Sequence, residues 1–475
     1  MADAIVADRA MYADGANFFL GWRLAPGDWI IASDAKHPRL FVNALNQGPA
    51  ILARFAGVTD LNALRLWFGA GLFAAPLLIF GWCVALGARA ADFRVALAMG
   101  AGTIAALMPS QIFILEQAIT TTALAWMLLS YQVLPLRWRW YDIALVATAS
   151  FVLLQSHETI LVEGTILGLL ALEAVRLSGW RQTSRQTLYV GAVGFAVALH
   201  VIWWMHEHPI LSQTSNFLGL WYVALPWELW RNNGRPTLFL LVVAPLAILG
   251  AMHGMPTPLA RRWRRIAAWV GAIGAATILA GALTPWLSPE AVAPRVQFDL
   301  RVLIPFVSAA FMALAGAWVL AGPDARAGKH TTLKVAIAVA LLGGTSWQFA
   351  NTAQWRQFDG AVRTVLTSSP AGEVDPELVR ELLVQRAAPN AWRMQWEWAW
   401  GFLSLARLDQ PRVSVIIVPT SERQSFRSPR TSQDSLHLPW LRSIPPDGVY
   451  RLDALAAACA QGRCGIVPAP PQSVR

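Results

Sequence analysis

The sequence predicts an all-α polytopic membrane protein of about ten transmembrane helices, with an amphipathic N-terminal segment on the outer face and a small C-terminal α+β region outside the membrane. Three observations predict it. Of the 475 residues, 56% are hydrophobic and only 14% charged, whereas soluble domains carry nearer a quarter charged residues. The apolar residues gather in long runs, which suit hydrocarbon rather than water as solvent. The 24 tryptophans fit a chain with two membrane–water interfaces, where indole rings are favoured. The net charge of +10 does not indicate nucleic acid, because the basic residues fall mostly in short loops between apolar runs.

Ten runs have the length and composition of spans: residues 64–86, 94–112, 117–134, 141–155, 159–176, 188–205, 237–252, 266–285, 302–321 and 333–349. The fourth is short, and only SHET separates it from the fifth, a spacing open to a broken or re-entrant pair. Simple alternation then puts five basic loops on one side. They carry Arg89 and Arg94, Arg137 and Arg139, Arg176, Arg181 and Arg185, the run RRWRR at 261–265, and Arg326, Lys329 and Lys334. By the positive-inside rule that side is the cytoplasm. Three segments follow: an outer loop with amphipathic helices (1–62), a transmembrane domain (63–350) and an extracytoplasmic C-terminal region (351–475).

The N-terminal segment must then reach the outside without a signal peptide, and residues 1–10 are too polar and too short to span. The expectation is a first transmembrane helix preceding the sequence as given. In the C-terminal region, DPELVRELLVQ (375–385) reads as a helix with Asp375 as N-cap and Pro376 at its first position. PRVSVIIVP (411–419) reads as a strand. The tryptophans of AWRMQWEWAWGFLSL (391–405) read as surface anchors, with sugar stacking or a small core as alternatives. Cys459 and Cys464, in CAQGRC, are either a small disulfide loop or two free thiols, since spacing alone does not fix disulfide geometry. PAPPQSVR at the end reads as disordered.

Ionisable residues near or within spans are functional candidates by default. Glu116 lies between the second and third runs, and His157 and Glu158 between the fourth and fifth, with Glu163 about a turn further on. His206, Glu207 and His208 follow the sixth, and Arg295, Asp299 and Arg301 follow the eighth. Alternation places all of them on the outer face, with Asp14, Asp28 and Asp34. Such a cluster fits a lipid-linked anion, with arginine holding phosphate and a carboxylate as general base. Bland readings stand beside this one. His157 and Glu158 are also what a helix end needs. His206 and His208 alternate in a loop, which is not ligand spacing on a helix, so a solvated loop competes with a metal site. Asp14 with Gly15 is also an ordinary turn. His200, inside a span, reads as an interior residue. GAGTIAA (100–106) reads as close helix packing through small residues.

The pattern resembles the GT-C class of integral membrane glycosyltransferases. YADGANFF (12–19) resembles the acidic outer loop of that class, and HPRLFVNALNQGPAILARFAGV (37–58) its amphipathic part. In the latter, Leu40, Phe41, Ala44, Leu45, Ile51, Leu52 and Phe55 recur at roughly helical spacing. DLRVLIPF (299–306) resembles the arginine–hydrophobic–proline sequence that often opens a late span. The departures are the first helix and a second acidic residue near the first, for which Asp8 is a weak substitute.

The resemblance implies sugar transfer from a polyprenyl-phosphate donor to an acceptor at the outer face. Asp14 would be the general base or acceptor-orienting carboxylate, and Arg301 would contact the lipid phosphate. Glu116, His157, Glu158 and Arg295 would line the cavity. No cofactor is required, a divalent metal is left open, and the partners are membrane lipid, the lipid-linked sugar and an acceptor, with no nucleic acid. The composition suggests a GC-rich bacterial genome, hence an inner membrane with the active face in the periplasm. A transporter or flippase without covalent chemistry, or an inactive scaffold of the same fold, is the alternative.

Overall fold

The computed structural model describes residues 2–11, 15, 16, 19, 39–107, 116–207, 304–320, 331–369, 372–394, 400, 404 and 415–417. These residues are mostly helical. In chain order they form α1 (Ala2–Val6), a 3-10 turn (Arg9–Met11), α2 (Leu40–Phe55), α3 (Leu61–Ala90), α4 (Arg94–Leu107), α5 (Glu116–Val133), α6 (Trp140–Leu154) and α7 (Ile160–Ser178). Then come α8 (Arg185–Glu207), α9 (Ile304–Leu320), α10 (Thr331–Ser368), β1 (Gly372–Val374), α11 (Glu377–Gln385), a second 3-10 turn (Pro389–Met394) and β2 (Val415–Ile417).

Every apolar run that falls on described residues is a helix. The runs at 237–252 and 266–285 lie outside the described residues, as do Asp14, Asp28, Asp34, His208, Arg295, Asp299, Arg301, Cys459 and Cys464. Among the described residues, Leu61–Ala90 and Arg185–Trp204 are long and apolar enough to cross a membrane, and Trp140–Leu154 and Ser308–Leu320 are apolar but shorter. The last helix departs from expectation. It does not stop at Phe349 but runs on to Ser368. Its second half is amphipathic, burying Trp355, Phe358, Ala361, Val362, Val365 and Leu366 at helical spacing while Arg356 and Thr367 stay exposed.

The chain divides into two compact units, one of Met1–Ala32, Gln47–Phe73 and Phe349–Arg475, the other of Ser33–Asn46 and Ala74–Gln348. In the first, the N-terminal turn packs on α10. The Trp355 indole donates to the Ala7 carbonyl (2.8 Å) and Arg9 to the Thr352 hydroxyl (3.0 Å). Asp8, at φ 55°, sits in the left-handed region that aspartate tolerates. Its carboxylate lies between buried Arg65 (3.5 Å) and Arg363 (3.2 Å). The residue considered as a second acidic group is thus an ion-pair hub.

Trp400, read as a surface anchor, is only 3% exposed and belongs to the core. It lies 5.7 Å from Phe358 and 5.7 Å from Trp392, and Phe358 lies 5.7 Å from Trp355, all as ring-centroid distances. The aromatics here gain more from one another than from an interface. Helix α11 begins at Glu377 with Pro376 as N-cap, one residue later than the Asp-Pro start predicts, and the Glu377 N–H donates to the Asp375 carboxylate (3.0 Å). Strand β2 falls inside 411–419 and pairs in parallel with β1, Gly372 opposite Val415.

In the second unit, α5 is the central helix, buried on every side from Ala118 to Gln132. Its neighbours include α4, α6, α7, α8 and α9. The α7–α8 contact is made by glycines. A Cβ at Gly164 would meet the Gly194 carbonyl oxygen at 2.5 Å, and one at Gly191 the Ala171 Cβ at 2.2 Å. Backbones thus approach as closely as small-residue seams allow. Gly102, in GAGTIAA, is closed off in the same way by Phe311 at 3.0 Å.

Three of the loops read as basic, those after the first, third and fifth runs, meet at one end of this unit, while RRWRR, Arg326 and Lys329 lie outside the described residues. Arg89 donates to the Arg137 carbonyl (2.8 Å), Arg94 to the Trp318 carbonyl (2.7 Å), and Thr187 to the Gln132 carbonyl (2.8 Å). At that end a carboxylate clamps three helices. Asp142, fully buried on α6, accepts from Arg89 of α3 through both oxygens (2.9 and 2.6 Å), from the Tyr131 hydroxyl of α5 (2.8 Å) and from the Arg139 N–H (2.6 Å).

Candidate functional site

Helix α2 buries polar side chains and turns part of its apolar set outward. Asn43, Asn46 and Gln47 are each about 1% exposed, whereas Leu52 and Phe55 are more than half exposed. Leu40 and Leu45 are exposed as well, while Ile51, of the same apolar set, is only 2% exposed. The buried face is mixed: a polar stripe of Arg39, Asn43, Asn46 and Gln47 lies beside the apolar Val42, Ala50, Ile51 and Ala53. That stripe is the signal sequence reading passed over.

Two backbone bonds set this helix in place. The Phe41 and Val42 N–H groups donate to the Gln155 carbonyl (2.9 and 3.3 Å), where α6 ends, and the Phe41 and Phe151 rings stack at 4.4 Å. The anchorage brings Arg39 against Glu158 in the turn between α6 and α7. Arg39 grips both carboxylate oxygens, NH2 at 3.0 and 2.9 Å and Nε at 3.2 Å. Bidentate pairing of this kind fixes orientation as well as charge. His157 Nε2 lies 3.4 Å from the same carboxylate, and its Nδ1 accepts the Thr159 N–H at 3.3 Å. The His157 N–H donates to Thr121 on α5 (3.1 Å).

Thr120, Thr121 and Thr122 are consecutive on a buried helix, so they point three ways. Thr120 donates to the Asn46 side chain (2.9 Å), Thr121 receives His157, and Thr122 donates to Glu163 (2.7 Å). Glu163 is wholly buried at the first turn of α7 and faces Ser308 of α9, whose hydroxyl accepts the Trp126 indole N–H (3.0 Å). Among the described residues, Asn46 Nδ2, Thr159 Oγ1 and Glu163 Oε2 are buried without a hydrogen-bond partner.

The structure therefore brings His157 and Glu158 together and adds Arg39, Asn46 and the three threonines. Glu116 opens α5 and His206 lies near the end of α8, but both side chains are outside the described residues. Among the described residues, no group of three or more histidine, cysteine or acidic side chains is placed to hold a metal. Cys83 is buried and free. His200 lies 5.5 Å from Trp203 and 6.3 Å from Trp204, ring to ring. Glu173 pairs with Arg176 (2.6 Å), as its spacing predicts. No family model, curated protein or solved structure matches the chain.

Proposed function

We propose that the chain is a multi-pass membrane glycosyltransferase of GT-C type, moving a sugar from a polyprenyl-phosphate donor to an acceptor at the membrane face that carries Arg39, His157 and Glu158. The observation that carries this reading is the outward apolar face of helix α2. An apolar face turned outward over a buried stripe of Arg39, Asn43, Asn46 and Gln47 suits a helix lying in the membrane interface above a polar chamber. Exposed apolar side chains elsewhere support a hydrocarbon solvent. Leu78 on α3, Trp140 on α6 and Leu172 on α7 are 73%, 80% and 64% exposed, which water would penalise. The gathering of arginines at the opposite end of the same unit fits a cytoplasmic face of a bacterial inner membrane.

In the transfer, an acceptor hydroxyl attacks the anomeric carbon, the carbon–oxygen bond to the lipid phosphate breaks, and polyprenyl phosphate leaves. The hydroxyl proton passes to the Asp14 carboxylate, and Arg301 and Arg295 hold the phosphate. Glu116, His157 and Glu158 line the chamber. The outer location of the C-terminal α+β region and the span count near ten belong to the same reading.

The test is native mass spectrometry of the chain purified in mild detergent. Retained polyprenyl phosphate or its sugar adduct, lost in Arg301→Ala, is expected. Bulk phospholipid alone, unchanged in the variant, would sink the proposal. The buried Glu163 favours a second reading, a transporter, because intramembrane carboxyls mark ion paths. Solute flux by reconstituted vesicles, without sugar transfer, would select it.

A further inference from the structure

Helix α6 plays no part in the transfer just described, yet its dimensions set it apart. It has 15 residues, Trp140–Leu154, so its length is about 22 Å. Its buried residues form one stripe at helical spacing, Asp142, Val146, Ala149 and Leu153. The rest of its surface is open, with Ile143 and Phe151 each 57% exposed. A helix of that kind faces lipid on most sides. Both of its ends are fixed in depth. At the inner end Arg137, Arg139 and Trp140 are exposed, and charged groups and an exposed indole belong at headgroup level. At the outer end the Gln155 carbonyl takes the Phe41 and Val42 N–H groups of α2, and Glu158 is gripped by Arg39. Held in that bidentate pair, Arg39 does not extend toward the headgroups as a loose arginine does. Helix α2, which starts there, exposes Leu40 and Leu45, so apolar surface resumes at the level where α6 stops.

The hydrocarbon core of an ordinary bilayer is about 30 Å thick, so α6 falls short of it by about 8 Å, more than one helical turn. Its neighbours do not share the deficit. Helix α8, packed against it, has 23 residues, and α3, joined to it through Arg89 and Asp142, has 30. Longer helices fit a full core by tilting, but tilting only shortens the reach of a short one, which is accommodated by thinning the lipid beside it. We propose that the exposed face of α6 docks a locally thinned bilayer, the outer leaflet dipping along α6 to meet α2. Phospholipid headgroups then stand level with Arg39, His157 and Glu158, and a lipid-linked anion enters the chamber from the side without lifting its chain out of the hydrocarbon. The inference rests on the membrane reading proposed above and not on sugar transfer; it stands equally for a transporter.

The test uses the full chain reconstituted in phosphatidylcholine vesicles with acyl chains of fourteen, eighteen and twenty-two carbons. Flotation with the vesicles is checked first, and thermal unfolding is then followed by tryptophan fluorescence. The midpoint is expected to be highest in the fourteen-carbon vesicles and several degrees lower in the twenty-two-carbon ones. The double variant Arg137→Leu with Arg139→Leu keeps the Arg137 carbonyl that serves Arg89 and the Arg139 N–H that serves Asp142. It removes the charges that fix the inner end, so apolar surface runs on toward Pro135 and the highest midpoint should move to the eighteen-carbon vesicles. A wild-type midpoint that ignores chain length, or peaks at eighteen or twenty-two carbons, overturns the thinned bilayer, as does an unchanged preference in the double variant. Should the double variant fail to fold, Arg139→Leu alone decides by the same shift. A chain that floats with the vesicles and shows a flat profile overturns this inference alone; one that floats with none overturns the membrane reading as well.

Discussion

Asp142 offers the sharpest test of how the second unit is held together. Its side chain is fully buried, and four donors reach its two oxygens: two from Arg89, the Tyr131 hydroxyl and the Arg139 N–H, all between 2.6 and 2.9 Å. Asp142→Asn keeps the shape but removes the charge and turns one acceptor into a donor. The new amide N–H₂ would face a donor it cannot accept from, and Arg89 would lose its counter-charge. Breaking a buried pair in this way costs about 3–5 kcal/mol. Arg89 retains 22% side-chain exposure and recovers some hydration, so the lower end, about 3 kcal/mol, is the expectation. That corresponds to a fall in midpoint of about 6–12 °C. Tyr131→Phe removes one donor and leaves the Trp82 N–H without its acceptor (3.0 Å in the wild type), yet the ion pair survives, so about half that loss is expected, near 1.5 kcal/mol. Thermal unfolding in detergent, read by tryptophan fluorescence, measures both. The clamp is refuted if Asp142→Asn melts with the wild type, or if Tyr131→Phe is the more damaging change.

Arg39→Met should destabilise by about 2–4 kcal/mol, because it leaves the Glu158 carboxylate short of its bidentate partner. The double variant with Glu158→Gln should recover part of the loss, and additive losses in the cycle would show that the pair does not couple. Gly164→Leu should prevent stable packing of α7 on α8, since even a Cβ meets the Gly194 carbonyl oxygen at 2.5 Å. Gly81→Ala, where a Cβ meets nothing within 4 Å, should raise stability by up to about 1 kcal/mol; similar melting of the two variants would argue against the glycine seam. Asp14→Asn should abolish sugar transfer by the reconstituted protein while leaving its melting point in place, and retained transfer would remove Asp14 from the chemistry.

What the sequence made legible followed from solvent. A span must satisfy its own backbone, so it needs a long apolar run, and such runs can be read directly. The runs 64–86, 117–134 and 159–176 all fall on helices, and the fourth and fifth runs separate at SHET, where His157 and Glu158 sit. The extension of α10 past Phe349 was missed because hydropathy ends where charges begin. Arg356 and Asp359 enter the helix there, but the apolar positions from Trp355 to Leu366 keep helical spacing. The face of α2 was left open for a related reason. Apolar periodicity finds a stripe but does not say whether core or lipid receives it, and only the burial of Asn43, Asn46 and Gln47 decides. His157 and Glu158 stood out as ionisable residues between two apolar runs; Arg39 did not, because its partner lies 119 residues away in the chain.

The two ends of the second unit answer the problem of buried polarity differently. At the arginine end, Asp142 has as many donors as its two oxygens readily take, and the result is a fixed joint between α3, α5 and α6. At the other end, Asn46, Thr159 and Glu163 each hold a buried polar atom that no described residue meets. Native interiors rarely leave such atoms unpaired, and each one that persists weakens the fold unless something binds it. A joint that served stability alone would have been closed as Asp142 is closed. The open valences sit beside the Arg39–Glu158 pair and beneath helix α2, which is why the proposed transfer is placed at that end.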